Sequence, residues 1–272
     1  MEWSDAQMAQ AGLSEIVDLE RYPIAELDSP EAAALIGDCR TRMAMDGLCL
    51  LPGFVRPEAL GQMVAEANRL LPRAYRCEHW RATAHGAGGA DSGTIPRATR
   101  ASMGSIAYDL IAERSPLRRL YEWDGLTDFV AAVLGRAPFY RCADPVVSCS
   151  LAVCRETDEL GWHYDPNDGV VSLMLQAAEV GGAFEFAPGV RFSAPDASEA
   201  ELAVLDGHYP EVISRDIAPG TLSMFNGHEA LHRVAPVAGA RERIIALFNY
   251  MAEPDYVFSP EIQQKFFGRV AQ

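Results

Sequence analysis

The sequence predicts a mostly β fold, a sandwich or barrel preceded in the chain by a layer of helices. From Tyr140 onward, short runs rich in β-branched and aromatic residues alternate with turn residues, and no helix of ordinary length fits between them. Before that point the chain carries helix start and stop signals instead. The 272 residues, 49% of them hydrophobic, suffice for a sizeable core. We expect a single domain over residues 1–272, with a mainly helical layer (1–139), a β core (140–251) and a C-terminal helix (252–272).

End signals set the predicted helices of the first half. Ser29 followed by Pro30 is typical of a helix start and Gly47 of a helix end, so we expect a helix over residues 30–46. The apolar run 48–51 predicts a buried strand. Pro57 opens a second helix, to about residue 70, and further helical zones are expected at about 105–114 and 126–134, the last ending at Gly135. The glycine-rich stretch 83–96 between them is either a lid over a site or an insertion on the surface.

Six short runs predict the strands of the β core: 146–154, 170–176, 183–186, 221–225, 232–237 and 243–251. Their number and spacing favour a sandwich or barrel. A last helix is expected to begin at Pro260 and to end near Gly268.

Charge and cysteine usage exclude several classes of partner. The net charge of −15 makes nucleic acid and anionic membranes poor partners, and no apolar run is long enough to span a bilayer. No signal peptide is visible, and the six cysteines form no CxxC pair, so we expect reduced thiols and a cytoplasmic protein. A homodimer is compatible with the sequence.

The main chemical signal is a pair of potential metal ligands two residues apart. His163 and Asp165 share one face if their segment is extended, and a second histidine, His232, lies in another strand-like run. Two histidines and one carboxylate can form the facial triad of non-haem Fe(II) enzymes, which leaves other coordination positions open. His228 is the competing ligand, but it lies in a turn-like sequence that favours a surface position.

An arginine follows the second histidine by eleven residues. Arg243 begins the last strong strand, where alternation places it on one face with Ile245, Leu247 and Asn249. A guanidinium at a barrel can bind a carboxylate through two hydrogen bonds. Arg241 is the alternative, but it follows a turn and should be exposed.

These residues resemble the Fe(II)/2-oxoglutarate-dependent oxygenases with a double-stranded β-helix (jelly-roll, cupin-like) core. The segments 46–54, 143–145, 161–165, 181–186 and 231–237 are similar to the subgroup of free-amino-acid radical halogenases and their hydroxylase relatives. The resemblance implies that His163, Asp165 and His232 bind Fe(II), that Arg243 pairs with the distal carboxylate of 2-oxoglutarate, and that O2 completes the site. Halogenases of this subgroup have glycine in place of the carboxylate, so Asp165 favours hydroxylation, desaturation or ring closure.

The substrate is expected to be a small amino acid or a derivative. Leu160 and Pro166 stand where the resemblance leads us to expect polar residues, which favours a less polar substrate than lysine. Four further residues are candidate substrate contacts, each with a structural or solvated alternative: Asp144, Asn249, Arg97 and Arg100. Trp162 and Tyr164 should point away from the metal, and His79, His85 and His208 should be solvated loop residues.

Two other functions compete with the oxygenase. One is a non-catalytic cupin-like barrel that binds a metal or ligand, and the other is a different metal-dependent enzyme, such as an isomerase. Arg243 favours the oxygenase, because a carboxylate anchor close to the metal serves a carboxylate co-substrate.

Overall fold

The structure is a computed structural model that describes residues 12–82, 98–165, 170–192 and 197–271. Its helices are α1 (Pro30–Asp46), α2 (Pro57–Leu70), α3 (Pro116–Glu122), α4 (Asp124–Leu134), α5 (Ala197–Leu205) and α6 (Pro260–Phe267), with 3-10 turns at Leu71–Arg73, Tyr108–Leu110 and Val190–Phe192. Its strands are β1 (Leu48–Leu51), β2 (Tyr75–Ala82), β3 (Ala98–Ile106), β4 (Tyr140–Arg141), β5 (Cys149–Cys154), β6 (Leu160–His163), β7 (Val170–Gln176), β8 (Val180–Gly181), β9 (Phe184–Ala187), β10 (Ile213–Arg215), β11 (Leu222–Phe225), β12 (Leu231–Val234), β13 (Val237–Ala238), β14 (Arg243–Phe248) and β15 (Tyr250–Met251).

The structure confirms the predicted start and end of helix α1. The Ser29 hydroxyl accepts a hydrogen bond from the N–H of Ala32 at the start of α1, and Gly47 ends this helix at φ 78°. Helices α2, α4 and α6 also lie where the sequence predicts them. Ser115 caps α3 as Ser29 caps α1, and both serines are followed by a proline at the first helical position.

Two of the secondary-structure predictions are wrong. The expected helical zone at 105–114 starts inside strand β3, which pairs with β2 over residues 98–105 and also with β5. Pairing with distant parts of the chain satisfies the backbone of β3, an effect that local propensity does not report. A nine-residue helix, α5, also lies between β9 and β10, where no helix was expected.

A single antiparallel sheet of eleven strands organises the described residues. Its order is β1-β11-β7-β14-β5-β3-β6-β12-β9-β10, with β2 added on β3. Strand β3 connects the two halves because it pairs with both β5 and β6. The first half of the chain therefore supplies strands β1, β2 and β3 as well as helices.

The two faces of the sheet have different roles. On β14, Ile244, Ala246 and Phe248 point into the main core, which is formed with the helices. The alternate residues, Arg243, Ile245, Leu247 and Asn249, line a cavity inside the curl of the sheet, as strand alternation predicts. None of the helices described here is long and apolar enough to cross a membrane.

Candidate metal centre

The two histidines of the predicted triad lie directly opposite each other on neighbouring strands. His163 ends β6, His232 lies in β12, and their Cα positions are partners in the antiparallel pair. The ring centroids are 4.2 Å apart. Asp165 follows His163 by two residues, and each of its carboxylate oxygens faces one imidazole, at 3.6 Å from His163 Nε2 and 3.5 Å from His232 Nε2. The structure thus brings together the three side chains that the sequence singled out.

Hydrogen bonds orient both rings for metal binding. His163 Nδ1 lies 2.8 Å from the carbonyl oxygen of Gly161, and His232 Nδ1 lies 2.9 Å from that of Ala230. A carbonyl oxygen only accepts, so each Nδ1 carries the hydrogen and each Nε2 keeps its lone pair for a ligand position.

The geometry of the three donors suits one ion. One atom from each residue lies within 4.8 Å of the others. Two ligands that are each about 2.1 Å from an ion are about 3 Å apart at a right angle and about 4 Å apart on opposite sides. The observed 3.5 and 3.6 Å lie between these values. Burial alone would raise the pKa of Asp165, but without a metal the charge and hydrogen bonds of protonated neighbouring imidazoles lower it below its usual range. A cation bound between the three residues would replace those protons on Nε2.

A glycine makes room for the Asp165 carboxylate. A Cβ atom added to Gly227 would lie 2.0 Å from Asp165 Oδ2, and the carbonyl oxygen of Gly227 accepts the backbone N–H of Asp165. Any larger residue at position 227 would therefore displace the carboxylate. The sequence identified Gly227 only as part of a turn, because this contact joins two distant segments.

Arg243 lies on the wall of the same cavity and is 3% exposed. Its Nε donates to the carbonyl oxygen of Gly182 at 3.0 Å. Gly182 has φ 70°, and a Cβ there would lie 2.9 Å from Arg243 Cδ, so glycine is needed for both the turn and the contact. No carboxylate of the described residues lies within 4.0 Å of this guanidinium, and burial lowers its pKa. The cavity therefore contains a buried cation that still has room for an anionic partner.

The competing ligands and anchors take other positions. His228 lies in a turn, half-buried, and its carbonyl oxygen accepts from Arg191. Arg241 is exposed and donates to the carbonyl oxygens of Ala177 and Ala178. These positions agree with the preference for His232 and Arg243.

The flanking aromatic residues pack away from the metal, as predicted. Arg233 lies over the Trp162 ring at 4.9 Å, and the Tyr164 hydroxyl donates to Glu201. His208 is exposed, as expected, whereas His79 is a strand residue of β2 and packs against Phe266, which corrects its placement in a loop. His85 lies outside the described residues.

Asp144 has a structural role in place of the predicted substrate contact. It is fully buried, and its Oδ1 accepts from the N–H groups of Val146 and Val147. Its Oδ2 accepts from the N–H of Phe258 and the amide of Gln263. This carboxylate thus ties the start of the C-terminal region to the β core.

The other predicted substrate contacts have mixed outcomes. Arg100 points away from the cavity, because Met103 and Ser105 take the inner face of β3 while Arg100 binds Glu78 and the carbonyl oxygen of Thr157 outside. Asn249 does line the cavity, and its amide donates to the carbonyl oxygen of Val147. Arg97, Pro166 and the stretch 83–96 lie outside the described residues.

The cavity has a volume of about 290 Å³ and walls that are mostly aliphatic and aromatic. Helix α6 and the segment before it close one side with Phe258, Ile262, Phe266 and Phe267. Leu160 also lies on the wall of the cavity. A cavity of this size suits a small molecule.

Solved structures with similar shape include the non-haem α-ketoglutarate-dependent epimerase SnoN from nogalamycin biosynthesis, at 15% identity and a TM-score of 0.56, covering 80% of this chain and 83% of that one. AviO1 from Streptomyces viridochromogenes is 19% identical with a TM-score of 0.55, over 80% of this chain and 95% of that one. HygX from Streptomyces hygroscopicus, with nickel and 2-oxoglutarate bound, is 16% identical with a TM-score of 0.53, over 78% and 85%. These likenesses show that the fold is the double-stranded β-helix of the 2-oxoglutarate oxygenases.

No curated protein matches the sequence. A family model does match, over residues 32–266, and it describes the family called halogenase D. This match spans most of the chain, including both histidines, Asp165 and Arg243, and the chain therefore belongs to the halogenase D family.

Proposed function

We propose that this protein is an Fe(II)- and 2-oxoglutarate-dependent oxygenase that hydroxylates a small amino-acid-like molecule. The observation that supports this most is one cavity whose wall holds both a two-histidine, one-carboxylate cluster and a buried arginine that has no acidic partner among the described residues. A site that binds only a metal needs the first feature but not the second.

In this proposal His163, Asp165 and His232 hold Fe(II) through Nε2, a carboxylate oxygen and Nε2. The hydrogen bonds to the carbonyl oxygens of Gly161 and Ala230 fix the ligand atoms before the metal binds. Iron bound there supplies the redox chemistry by which O2 oxidises both 2-oxoglutarate and substrate. The overall reaction converts a C–H bond, O2 and 2-oxoglutarate into C–OH, succinate and CO2.

Arg243 binds the distal carboxylate of 2-oxoglutarate. The Nε of Arg243 donates a hydrogen bond to the carbonyl oxygen of Gly182, and this bond fixes the plane of the guanidinium. The guanidinium has no acidic partner among the described residues. A dicarboxylate that reaches from the metal to Arg243 would neutralise a buried charge in a low-dielectric wall, which is a favourable exchange. The structure of HygX with nickel and 2-oxoglutarate shows that a protein of this fold holds both groups together.

Asp165 favours hydroxylation over halogenation despite the name of the family. Its carboxylate faces both imidazoles and occupies the space beside Gly227. As a third protein ligand it would leave no room for a halide at that position. Desaturation and ring closure use the same residues and differ only in the fate of the substrate radical.

The test is a screen of free amino acids and their derivatives with the Fe(II)-loaded protein, 2-oxoglutarate and O2. We expect at least one compound to stimulate succinate formation and to gain one oxygen atom in its mass spectrum. A loss of two hydrogen atoms would indicate desaturation or ring closure instead. Succinate formation that no amino-acid-like compound stimulates, or a chlorinated product in chloride buffer, would contradict the proposal.

A further inference from the structure

Four serines on the inner face of the sheet line the cavity: Ser105, Ser150, Ser172 and Ser223. Three of them lie at one level across the strands. Ser172 of β7 is the register partner of Ser223 of β11, and Leu247 of β14 is the partner of both Ser150 and Ser172. Neighbouring strands are about 4.8 Å apart, so Ser172 and Ser223 are close enough to contact one group together. We call Ser150, Ser172 and Ser223 the serine row.

The three residues of the serine row are largely buried, and their hydroxyls make no hydrogen bond within the described residues. Ser150 is 6% exposed, Ser172 is 9% exposed and Ser223 is 3% exposed. The Ser223 hydroxyl has neither a partner nor solvent contact. Buried hydroxyls are usually paired, and leaving one unpaired is unfavourable. The Ser223 hydroxyl is such a group, and the Ser150 and Ser172 hydroxyls on the same cavity wall also have no hydrogen-bond partner among the described residues, so the serine row forms a polar strip that can take a partner from the cavity.

The rest of the wall defines the chemistry of that partner. The neighbours of the serine row in the cavity are apolar, among them Leu247, Ile245 and Phe225. Among the described wall residues, formal charge is confined to Asp165, which belongs to the metal cluster, and Arg243, which the proposed function assigns to 2-oxoglutarate. A charged group placed against neutral hydroxyls would lose its water without gaining a counter-charge. A neutral group that both donates and accepts hydrogen bonds fits the serine row, since serine does both.

We infer that the serine row binds a neutral polar group, such as a hydroxyl or an amide, on the apolar part of the substrate that lies inside the cavity. This inference rests on the proposed function for the role of Arg243, and it specifies the substrate class of the same site. The part of the substrate that occupies the cavity is uncharged and consists largely of hydrocarbon, with one group that forms hydrogen bonds. Apolar walls with a few placed polar groups are the usual way in which a small-molecule site fixes orientation.

The experiment measures binding without turnover, on the full chain loaded with Ni(II) and 2-oxoglutarate. Three probes share one ring and differ in the polar group: cyclohexanecarboxamide (neutral), cyclohexanecarboxylate (anion) and cyclohexylmethylamine (cation). Dissociation constants are taken from ligand-observed NMR for the wild type, the double variant Ser150→Ala/Ser172→Ala, and Ser214→Ala, which changes an exposed serine of β10. A second measurement follows thermal unfolding of each protein without probe.

We expect the carboxamide to bind the wild type and Ser214→Ala most tightly of the three probes. The double variant should bind it about tenfold more weakly, which corresponds to the loss of two ordinary hydrogen bonds. Without probe the double variant should unfold at the same temperature as the wild type or higher, because each substitution only removes a hydroxyl that has no hydrogen-bond partner in the described residues. If the double variant binds the carboxamide more weakly but unfolds at an unchanged temperature, the serines act in ligand recognition and not in stabilising the fold.

Three results would overturn the inference: tightest binding of either charged probe, unchanged carboxamide affinity in the double variant, or a double variant that loses affinity for 2-oxoglutarate and not for the carboxamide. The last result would assign the serine row to the co-substrate. The proposed function is tested separately by succinate formation, so its failure is distinguishable from a failure of this inference.

Discussion

Arg243→Gln removes the positive charge from the wall of the cavity and leaves a shorter, neutral polar side chain. In the wild type the guanidinium is fixed by Gly182 and has no acidic partner among the described residues. Since the orientation is already set, most of the hydrogen-bond energy with a carboxylate contributes to affinity rather than to ordering the side chain.

The size of the effect follows from this geometry. A hydrogen bond to a charged group contributes about 1.5–3 kcal/mol, and the two terminal nitrogens of Arg243 offer two such bonds. Glutamine keeps one neutral donor, so we expect a net loss of about 3 kcal/mol, or roughly a hundredfold in the dissociation constant of 2-oxoglutarate. Metal binding should be retained, because Arg243 is not one of the three proposed metal ligands and its Nε donates to the carbonyl oxygen of Gly182.

Thermal unfolding of the Ni(II)-loaded protein measures this difference. At a 2-oxoglutarate concentration about 100 times the wild-type dissociation constant, binding stabilises the wild type by about 2.7 kcal/mol. At about 2–4 °C per kcal/mol, the melting temperature should rise by roughly 5–10 °C. The variant, with half its sites filled, should gain only about 0.4 kcal/mol, or roughly 1 °C. Without 2-oxoglutarate the variant should be at least as stable, since it no longer buries an unpaired cation.

Arg241→Gln is the matched control, because this neighbouring arginine binds carbonyl oxygens at the surface. In Arg241→Gln, 2-oxoglutarate should raise the melting temperature by as much as in the wild type. An undiminished rise in Arg243→Gln, or a loss in Arg241→Gln alone, would refute the assignment of the carboxylate anchor.

The remaining predictions concern the metal cluster and the fold. His163→Ala or His232→Ala should abolish binding of one equivalent of Fe(II), measured by equilibrium dialysis, whereas His228→Ala should keep it; full binding by both of the first two variants would rule out the triad. Asp165→Gly should bind iron more weakly and lose most hydroxylation, with chlorinated product at trace level at most by mass spectrometry; chlorination by the wild type would show that Asp165 is not a ligand. Asp158→Asn should lower the free energy of unfolding at neutral pH by about 2–3 kcal/mol in urea titrations, and this difference from the wild type should be smaller at pH 3. An equal difference at both pH values would show that Asp158 is not ionised and paired in the fold.

The pH dependence of the last prediction follows from the surroundings of Asp158. Burial alone would raise its pKa, but hydrogen bonds from Arg76, Ser102 and the N–H of Arg155 lower it below the usual range. The folded pKa lies below the unfolded value of about 3.9, so the stabilisation is present above that pH and is lost as the pH falls through the folded pKa. The difference in the free energy of unfolding between the wild type and Asp158→Asn should therefore become smaller below about pH 4.

The residues of the site that could be predicted are those governed by local rules. His163 and Asp165 follow from the period of two along a strand, and so does the shared face of Arg243 and Asn249. Helix α1 follows from Ser29, Pro30 and Gly47 because its caps are adjacent in sequence.

What could not be predicted depends on pairing between distant segments. Gly227 and Asp165, which are in contact, follow two different strands, β11 and β6. The serines of the serine row lie side by side only because of the register in which β5, β7, β11 and β14 pair. Asp144 looked like a polar site residue, but its partners Phe258 and Gln263 lie more than a hundred positions away. No local pattern reports such partners, which explains why the position of β3 was predicted wrongly and why the sequence left Asp144 open between a substrate contact and a structural role.

The central claim is that His163, Asp165, His232 and Arg243 together support oxygenation with 2-oxoglutarate. The most direct measurement incubates the Fe(II)-loaded protein with 2-oxoglutarate under isotopically labelled O2 and analyses the succinate by mass spectrometry. The account predicts succinate that contains one labelled oxygen atom and that does not form without iron or in His232→Ala. The absence of succinate, or succinate without the label at an unchanged rate in His232→Ala, would contradict it.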